Sequence, residues 1–230
     1  MKQGILYGVG VGPGDPELLT LKAVRILREA DVVAVPDKGS GEQTARAIAG
    51  EYLEGKEILS CPTPMVRDRA VLEESYERNA RTLCGLLDAG KTVAFLTLGD
   101  PAIYSTYVYI HRKVVEWGYR AELVPGVPSF CAAAARLGVS LCQGDERLLI
   151  VPASHPVEDC VEFPANQVYM KAGRRLGELR QTLEEHGRLD QAMAVSNCGM
   201  ADERVWPRVS EMETEGRYFS IVFVPGKERE

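Results

Sequence analysis

In the first half of the chain, short continuous apolar runs alternate with segments whose apolar residues recur at helical spacing. Short apolar runs typical of buried strands occupy 4–10, 31–35, 56–61, 92–98 and 120–124. Between these runs, apolar residues recur every three or four positions, which predicts helices over 16–29, 42–53, 67–89 and 101–117. Strands that alternate with helices imply an α/β layer built on a largely parallel sheet.

The pattern changes at PGVPS, residues 125–129, where two prolines and a glycine indicate a rigid connector. After it, an alanine-rich helix is predicted over 129–137 and another helix over 174–186. Strand patterns dominate the rest, at 147–152, 167–171, 191–196, 203–209 and 218–224. We therefore predict two α/β domains, residues 1–124 with a largely parallel sheet and residues 125–230 with a mixed sheet.

Composition narrows the class of protein. The 230 residues are 45% hydrophobic and 26% charged, which is ordinary for a globular protein. The net charge of −6 gives no overall signal for nucleic acid or for an anionic membrane, and we expect neither partner. The six cysteines and three histidines lack metal-ligand spacing, so no metal site is expected. Free thiols, no signal-peptide pattern and no long apolar stretch predict a cytoplasmic protein.

The stretch GVGVGPGDPELLTLKA, residues 8–23, joins a predicted strand to a predicted helix. Asp15 is a favourable N-cap and Pro16 a favourable first helical residue. A dinucleotide-binding loop would need a third glycine where this chain has Pro13 or Asp15, and the Gly-Lys-Ser/Thr of a phosphate loop is missing. A nucleotide loop is therefore disfavoured, and a tight turn without a ligand remains an alternative.

A second turn repeats this architecture, because Gly-Asp-Pro occurs at 14–16 and again at 99–101, each time after a predicted strand. In open α/β sheets, ligands bind outside the carboxyl ends of the strands. Two such turns at one edge would form the floor of a ligand site. The alternative is that both are only capped turns.

A hydroxyl-rich segment follows the second turn. On a helix that begins at residue 101, Tyr104, Tyr107 and His111 would share one face. They are either groups that assist catalysis or aromatic residues at the edge of a core. Asp100 could cap the helix or contact a ligand.

Four motifs in chain order, GVGPGDPELLTLKA, LGDPAIYST, PGVPSF and YMK, resemble those of the tetrapyrrole (class III) methyltransferases. Each motif alone is weak, whereas the ordered set is specific and covers essentially the whole chain. The resemblance implies two α/β domains with the active-site cleft between them, S-adenosylmethionine as cofactor with S-adenosylhomocysteine as product, a tetrapyrrole substrate and a homodimer. Within the family, the second turn with IYSTY at 103–107 resembles enzymes that methylate C20 of precorrin-2 or cobalt-factor II in cobalamin biosynthesis.

Individual roles follow from this resemblance and from the chemistry of methyl transfer. Candidates to assist catalysis are Asp100, Tyr104, Tyr107 and His111, and no single obligatory base is expected. The cofactor is expected to contact Leu98, Gly99, Asp100, Ile103, Ser105, Thr106, Ser129, Phe130, Met170, Gly199, Val205 and Ser220. The substrate is expected to contact Gly10, Gly12, Pro13, Gly14, Asp15 and Lys171. The first turn is thus expected to be a wall of the substrate site.

Cationic side chains should pair with the carboxylates of a tetrapyrrole. The candidates are Arg67, Arg69, Arg112, Lys113, Lys171, Arg174 and Arg175. Leu98 stands where enzymes that form precorrin-2 usually carry glycine, which favours a later step. Alternatives are another class III methyltransferase: one that acts at a different corrin position, a diphthine synthase or a ribosomal RNA methyltransferase. A nucleotide-dependent oxidoreductase or a nucleotide-binding regulator is a further alternative, which the glycine spacing disfavours.

Overall fold

The computed structural model describes residues 3–37, 43–66, 68–152, 154–212 and 219–226. The chain divides into two compact units, Met1–Pro128 and Ser129–Glu230. Each unit contains one five-stranded sheet with helices packed on it.

The sheet of unit 1 comprises β1 (Ile5–Gly10), β2 (Val32–Asp37), β3 (Glu57–Pro62), β4 (Thr92–Thr97) and β5 (Ala121–Val124). The strand order is β3-β2-β4-β1-β5, and every neighbouring pair is parallel. This confirms the predicted parallel sheet. Because all strands run in the same direction, their carboxyl ends share one edge, which we call the carboxyl edge.

Among the described residues, the sheet is covered by the helices α1 (Leu21–Glu29), α2 (Thr44–Ile48), α3 (Arg69–Asp88) and α4 (Tyr107–Glu116). On one face, α1 and α2 pack over Val9, Val33 and Leu96. On the other face, α3 and α4 pack over Leu6 and Phe95, which point the opposite way because strand side chains alternate.

The helix predicted over 16–29 is interrupted. Asp15 does cap, accepting a 2.8 Å hydrogen bond from the Glu17 N–H, but it caps only a 3₁₀ turn at Pro16–Leu18. The Thr20 hydroxyl then accepts from the Ala23 N–H at 3.1 Å and begins α1. The chain thus contains two successive N-caps, and the second one starts the α-helix.

The helix predicted over 101–117 is wrong at its beginning, because α4 starts only at Tyr107. Tyr104 has φ 47°, a left-handed conformation that an α-helix excludes. The Ser105 hydroxyl accepts from the Tyr107 N–H at 3.1 Å, next to the first helical turn. The predicted helix over 42–53 is also broken, into α2 and a 3₁₀ turn at Gly50–Tyr52, and its residue 42 lies outside the described residues.

The sheet of unit 2 comprises β6 (Leu148–Pro152), β7 (Asn166–Met170), β8 (Met193–Ser196), β9 (Arg204–Trp206) and β10 (Ser220–Val224). The order is β6-β7-β10-β8-β9, with β6 and β7 parallel and the other pairs antiparallel. The sheet is therefore mixed, as predicted. The strand predicted over 203–209 is shorter because Pro207 cannot donate to a strand ladder.

In the part of unit 2 that the structure describes, the helices are α5 (Ser129–Leu137) and α6 (Leu176–Glu185). Leu176 and Leu179 of α6 pack over Tyr169 and Val222 to form the core of this unit. Helix α5 packs against β8 and β10.

Candidate functional site

The two Gly-Asp-Pro turns lie side by side at the carboxyl edge, because β1 and β4 are neighbours in the sheet. The Gly99 N–H donates to the Gly12 carbonyl at 2.8 Å, and the Gly12 N–H donates to the Gly99 carbonyl at 3.3 Å. Both glycines have positive φ, 76° for Gly12 and 70° for Gly99, which other residues rarely adopt. The expectation that the two turns share one edge is confirmed.

A third segment, the connector after β5, meets these turns. A Cβ atom on Gly10 would come within 2.6 Å of both the Gly126 nitrogen and the Gly99 carbonyl oxygen. A Cβ atom on Gly126 would in turn overlap the Gly99 carbonyl oxygen. We call the meeting point of Gly10, Gly99 and Gly126 the glycine junction, since its backbones approach too closely for any side chain.

The Asp100 carboxylate stabilises the glycine junction through hydrogen bonds. Its Oδ1 accepts from the Ala102 N–H at 2.7 Å, and its Oδ2 accepts from the Gly126 N–H at 3.0 Å. The two oxygens therefore join the second turn to the connector. Asp100 caps the turn that follows it rather than a helix, so the predicted capping role is wrong in that detail.

The predicted shared face of Tyr104, Tyr107 and His111 is wrong, because Tyr104 precedes α4. Tyr107 is fully buried with its ring over Gly8 and 5.0 Å from the Phe95 ring, and burial raises its pKa. The Tyr107 hydroxyl lies 3.3 Å from His111 Nδ1. Burial lowers the pKa of His111. These contacts favour a packing role for Tyr107.

The remaining predicted residues of unit 1 differ in exposure. Residues 10, 12, 13 and 14 of the first turn are buried and Asp15 is partly exposed. In the second turn, Leu98, Ile103 and Ser105 are partly exposed, whereas Thr106 and Tyr104 are exposed.

Two polar residues at the carboxyl edge were missed by the sequence analysis. Thr97 ends β4 and is 6% exposed, and within the described part of the chain its hydroxyl has no hydrogen-bond partner. Asp37 ends β2, and its Oδ2 accepts from the Ser60 hydroxyl at 2.9 Å. A polar residue that closes an apolar strand is the signal that points to both.

In unit 2, strand register brings two predicted cofactor residues onto one face. Met170 lies opposite Ile221, Ile221 opposite Val195, and Val195 opposite Val205. Directly opposed residues share a face, so these four side chains form an apolar row across the sheet. Met170 is buried, whereas Val205 at the edge strand is 37% exposed.

Ser220 lies apart from the apolar row. Strand alternation places it on the face of Val222, and its hydroxyl lies 2.6 Å from that of Ser196 inside the core. Gly199 is exposed in the turn after β8, and Ser129 and Phe130 begin α5.

The cationic candidates differ in their contacts and in their exposure. Lys113 pairs with Glu73, and Arg175 donates to Glu178 at 2.6 Å. Arg69, Arg112 and Lys171 are exposed, and the backbone of Lys171 is left-handed with φ 60°. Arg67 and the side chain of Arg174 lie outside the described residues.

The described residues include neither a group of three or more His, Cys, Asp or Glu side chains able to hold a metal ion nor a helix of the length and hydropathy of a membrane span. The sequence profile of the tetrapyrrole (corrin/porphyrin) methylases matches residues 5–213. The chain belongs to the tetrapyrrole methylase family.

Among its relatives in this family, the cobalamin biosynthesis protein CobIJ of Mycobacterium tuberculosis is 36% identical over 99% of this chain and 47% of its own length. The chain thus spans about half the length of this tetrapyrrole methylase relative. The precorrin-2 C(20)-methyltransferase of a Sinorhizobium species is 34% identical over 97% of this chain and 96% of its own.

Solved structures of the tetrapyrrole methylase family share the fold. The native uroporphyrin-III C-methyltransferase of Thermus thermophilus is 26% identical, with a TM-score of 0.72 over 96% of this chain and 97% of its own. A structure of this Thermus enzyme complexed with S-adenosylhomocysteine gives a TM-score of 0.71 at 24% identity, over 96% of this chain and 92% of its own.

Proposed function

We propose that this protein is an S-adenosylmethionine-dependent methyltransferase that methylates C20 of a reduced tetrapyrrole, precorrin-2 or cobalt-factor II, in cobalamin biosynthesis. The observation that carries this proposal is the end-to-end match to a relative named precorrin-2 C(20)-methyltransferase, which covers 97% of this chain. Leu98 agrees with it, because methylases that form precorrin-2 usually carry glycine there.

The structure contains features that suit S-adenosylmethionine. The apolar row from Met170 to Val205 is chemically suited to an adenine ring, and Val205 at its edge is exposed. At the end of β4, before the second turn, the buried Thr97 hydroxyl has no partner among the described residues and could bond to the cofactor. When bound, S-adenosylmethionine supplies an activated methyl group. Leu98, Gly99, Ile103, Ser105 and Thr106 are the proposed contacts of unit 1.

The residues of this chain then act mainly by positioning. Methyl transfer to a nucleophilic ring carbon requires alignment and exclusion of water more than covalent assistance. The first turn, Gly10–Asp15, is the proposed substrate wall, and the junction beneath it is held by Asp100. The exposed Arg69, Arg112 and Lys171 are the proposed partners of the substrate carboxylates. Ser220 is a proposed contact through its main chain only, because its hydroxyl is buried with Ser196.

A second candidate is methylation of uroporphyrinogen III, which the likeness to the Thermus enzyme favours. The two candidates differ in substrate but share the cofactor. The proposal also includes a homodimer, which the family resemblance implies, and a cytoplasmic location, which the cysteine usage and the sequence pattern favour. Sedimentation velocity of the purified protein tests the dimer.

Binding and methyl counting test the proposal together. Isothermal titration should show binding of S-adenosylhomocysteine and none of NAD. Incubation with S-adenosylmethionine under anaerobic conditions should add one methyl group, by mass spectrometry, to precorrin-2 or cobalt-factor II and none to uroporphyrinogen III. Binding of NAD but not of S-adenosylhomocysteine would contradict the proposal and favour a nucleotide-dependent oxidoreductase. Methylation of uroporphyrinogen III would establish the second candidate.

A further inference from the structure

The turn that follows β8 has an unusual backbone. Asn197 and Gly199 both have positive φ, 51° and 76°, and for a residue with a side chain this conformation is unfavourable unless it is held. Asn197 is held at two points, since its N–H donates to the Phe219 carbonyl at 3.1 Å and its side chain donates to Asp202 Oδ2 at 2.8 Å. This turn carries Gly199, one of the cofactor contacts that the family resemblance predicts.

Glu203 holds the other half of the turn. Its Oε2 accepts from the Gly199 N–H at 2.7 Å, and its Oε1 accepts from Arg136 Nε at 2.6 Å. Arg136 Nη2 lies 2.5 Å from the same Oε1. The Glu203 side chain is only 15% exposed, so removing it would leave a backbone donor without its acceptor.

The charge of Glu203 is stabilised where it lies. Burial alone would raise the pKa of this carboxyl, but the Gly199 N–H and the Arg136 guanidinium, with a smaller contribution from the Cys198 side chain, outweigh burial and bring the pKa below its usual value. Glu203 is therefore an anion that accepts charge-assisted hydrogen bonds from both partners.

Arg136 lies in the last turn of α5, the helix that begins with Ser129 and Phe130. The chain from Gly199 through Glu203 to Arg136 thus links the turn after β8 to this helix. Both ends of the link carry residues that the family resemblance predicts as cofactor contacts, whereas Glu203 and Arg136 themselves are absent from that set.

We propose that Glu203 and Arg136 are positioning residues for S-adenosylmethionine: they fix the Asn197–Glu203 turn against α5 before the cofactor binds. A site that is already ordered binds its ligand more tightly, because less conformational entropy is lost on binding. This inference rests on the proposed function, since it concerns the cofactor of that reaction.

Binding of S-adenosylhomocysteine to four variants tests the inference. We expect Glu203→Ala to raise the dissociation constant about tenfold and Arg136→Ala to raise it less, because Gly199 keeps its acceptor. The double variant should bind no more weakly than Glu203→Ala alone, since the residues act as one unit. Glu211→Ala is the matched control, because it removes the same charge from the exposed Arg208–Glu211 pair, whose atoms lie 2.8 Å apart.

Glu203→Gln guards against misfolding, because its amide oxygen can still accept from Gly199, and it should bind more tightly than Glu203→Ala. In turnover, the KM for S-adenosylmethionine should rise while kcat at saturation changes little. Unchanged binding in Glu203→Ala, with only a lower melting temperature, would overturn the inference and leave the proposed function intact. Failure of the wild-type protein to bind S-adenosylhomocysteine would overturn both.

Discussion

The buried, unpartnered hydroxyl of Thr97 predicts the effect of one substitution on the stability of the protein. A buried hydroxyl without a partner destabilises a folded protein by roughly 1–3 kcal/mol. Thr97→Val keeps the shape of the side chain and removes this hydroxyl, so we expect the free energy of unfolding to rise by about 1 kcal/mol, measured by urea denaturation. If Thr97→Val unfolds more easily than the wild type, an ordered water or another group satisfies the hydroxyl.

The matched control is Thr182→Val in α6. Thr182 is also buried, but its hydroxyl donates to Glu158 Oε1 at 3.1 Å. The same chemical change should therefore lower the free energy of unfolding at this position. Opposite signs at the two threonines would show that the partner, rather than the residue type, decides the effect.

His111 makes a prediction about pH. Burial lowers its pKa from the usual 6.5, so between the folded pKa and 6.5 the unfolded chain binds more protons than the folded protein. The contribution of His111 to stability is present above pH 6.5 and is lost as the pH falls through the folded pKa. Titration of the imidazole by NMR should give a pKa below 6.5, and a value at or above 6.5 would contradict this environment.

At the scale of elements, the glycine junction predicts that a single methyl group is not tolerated. Gly126→Ala places a Cβ atom against the Gly99 carbonyl and Gly10, and overpacking of this kind costs about 1–3 kcal/mol. We expect Gly126→Ala to lower the melting temperature. Gly85→Ala in α3 is the control, because that position is open and helical, and alanine should stabilise it by roughly 0.5–1 kcal/mol.

Asp100 should be coupled to this junction. Asp100→Asn replaces one of the two acceptors by an amide that cannot accept from the Gly126 N–H. A double-mutant cycle with Gly126→Ala should therefore be non-additive by about 0.5 kcal/mol or more. Additive losses would show that Asp100 and the connector act independently.

The elements also show what the sequence could and could not predict. Strand positions in both sheets were predicted to within a few residues, since buried strands carry dense apolar runs. The starts of two helices were wrong, because Asp15 and Asp100 are genuine caps whose hydrogen bonds close short turns, while Thr20 and Ser105 lie at the helix starts. A favourable capping residue shows where a helical turn can begin, whereas the residues after it determine whether that turn continues as an α-helix.

The site residues also divide into those that the local sequence predicts and those that depend on distant parts of the chain. Glycine positions at the carboxyl edge were predictable, because only glycine permits that backbone and that close approach. The orientation of Ser220 was not, because the face of a strand residue depends on the register with partner strands that lie far away in the chain. The ion pair of Arg136 with Glu203 was missed for the same reason, since it joins residues 67 positions apart.

At the scale of the whole molecule, the family is established by a match that spans nearly the entire chain, and the reaction is the central proposal. The four motifs predicted this reaction from the sequence, because they occur in the family's order and each lies at a different strand end or connector. The fold alone would not have sufficed, since one fold can host several substrates.

The most direct test is the position of the transferred methyl group. The purified protein would be incubated anaerobically with S-adenosylmethionine carrying a carbon-13 methyl group, in parallel with precorrin-2 and with cobalt-factor II, and the product examined by carbon-13 NMR. We predict a single labelled methyl group on C20 of one of these substrates. A methyl group on another ring carbon, or no transfer to either substrate, would contradict it.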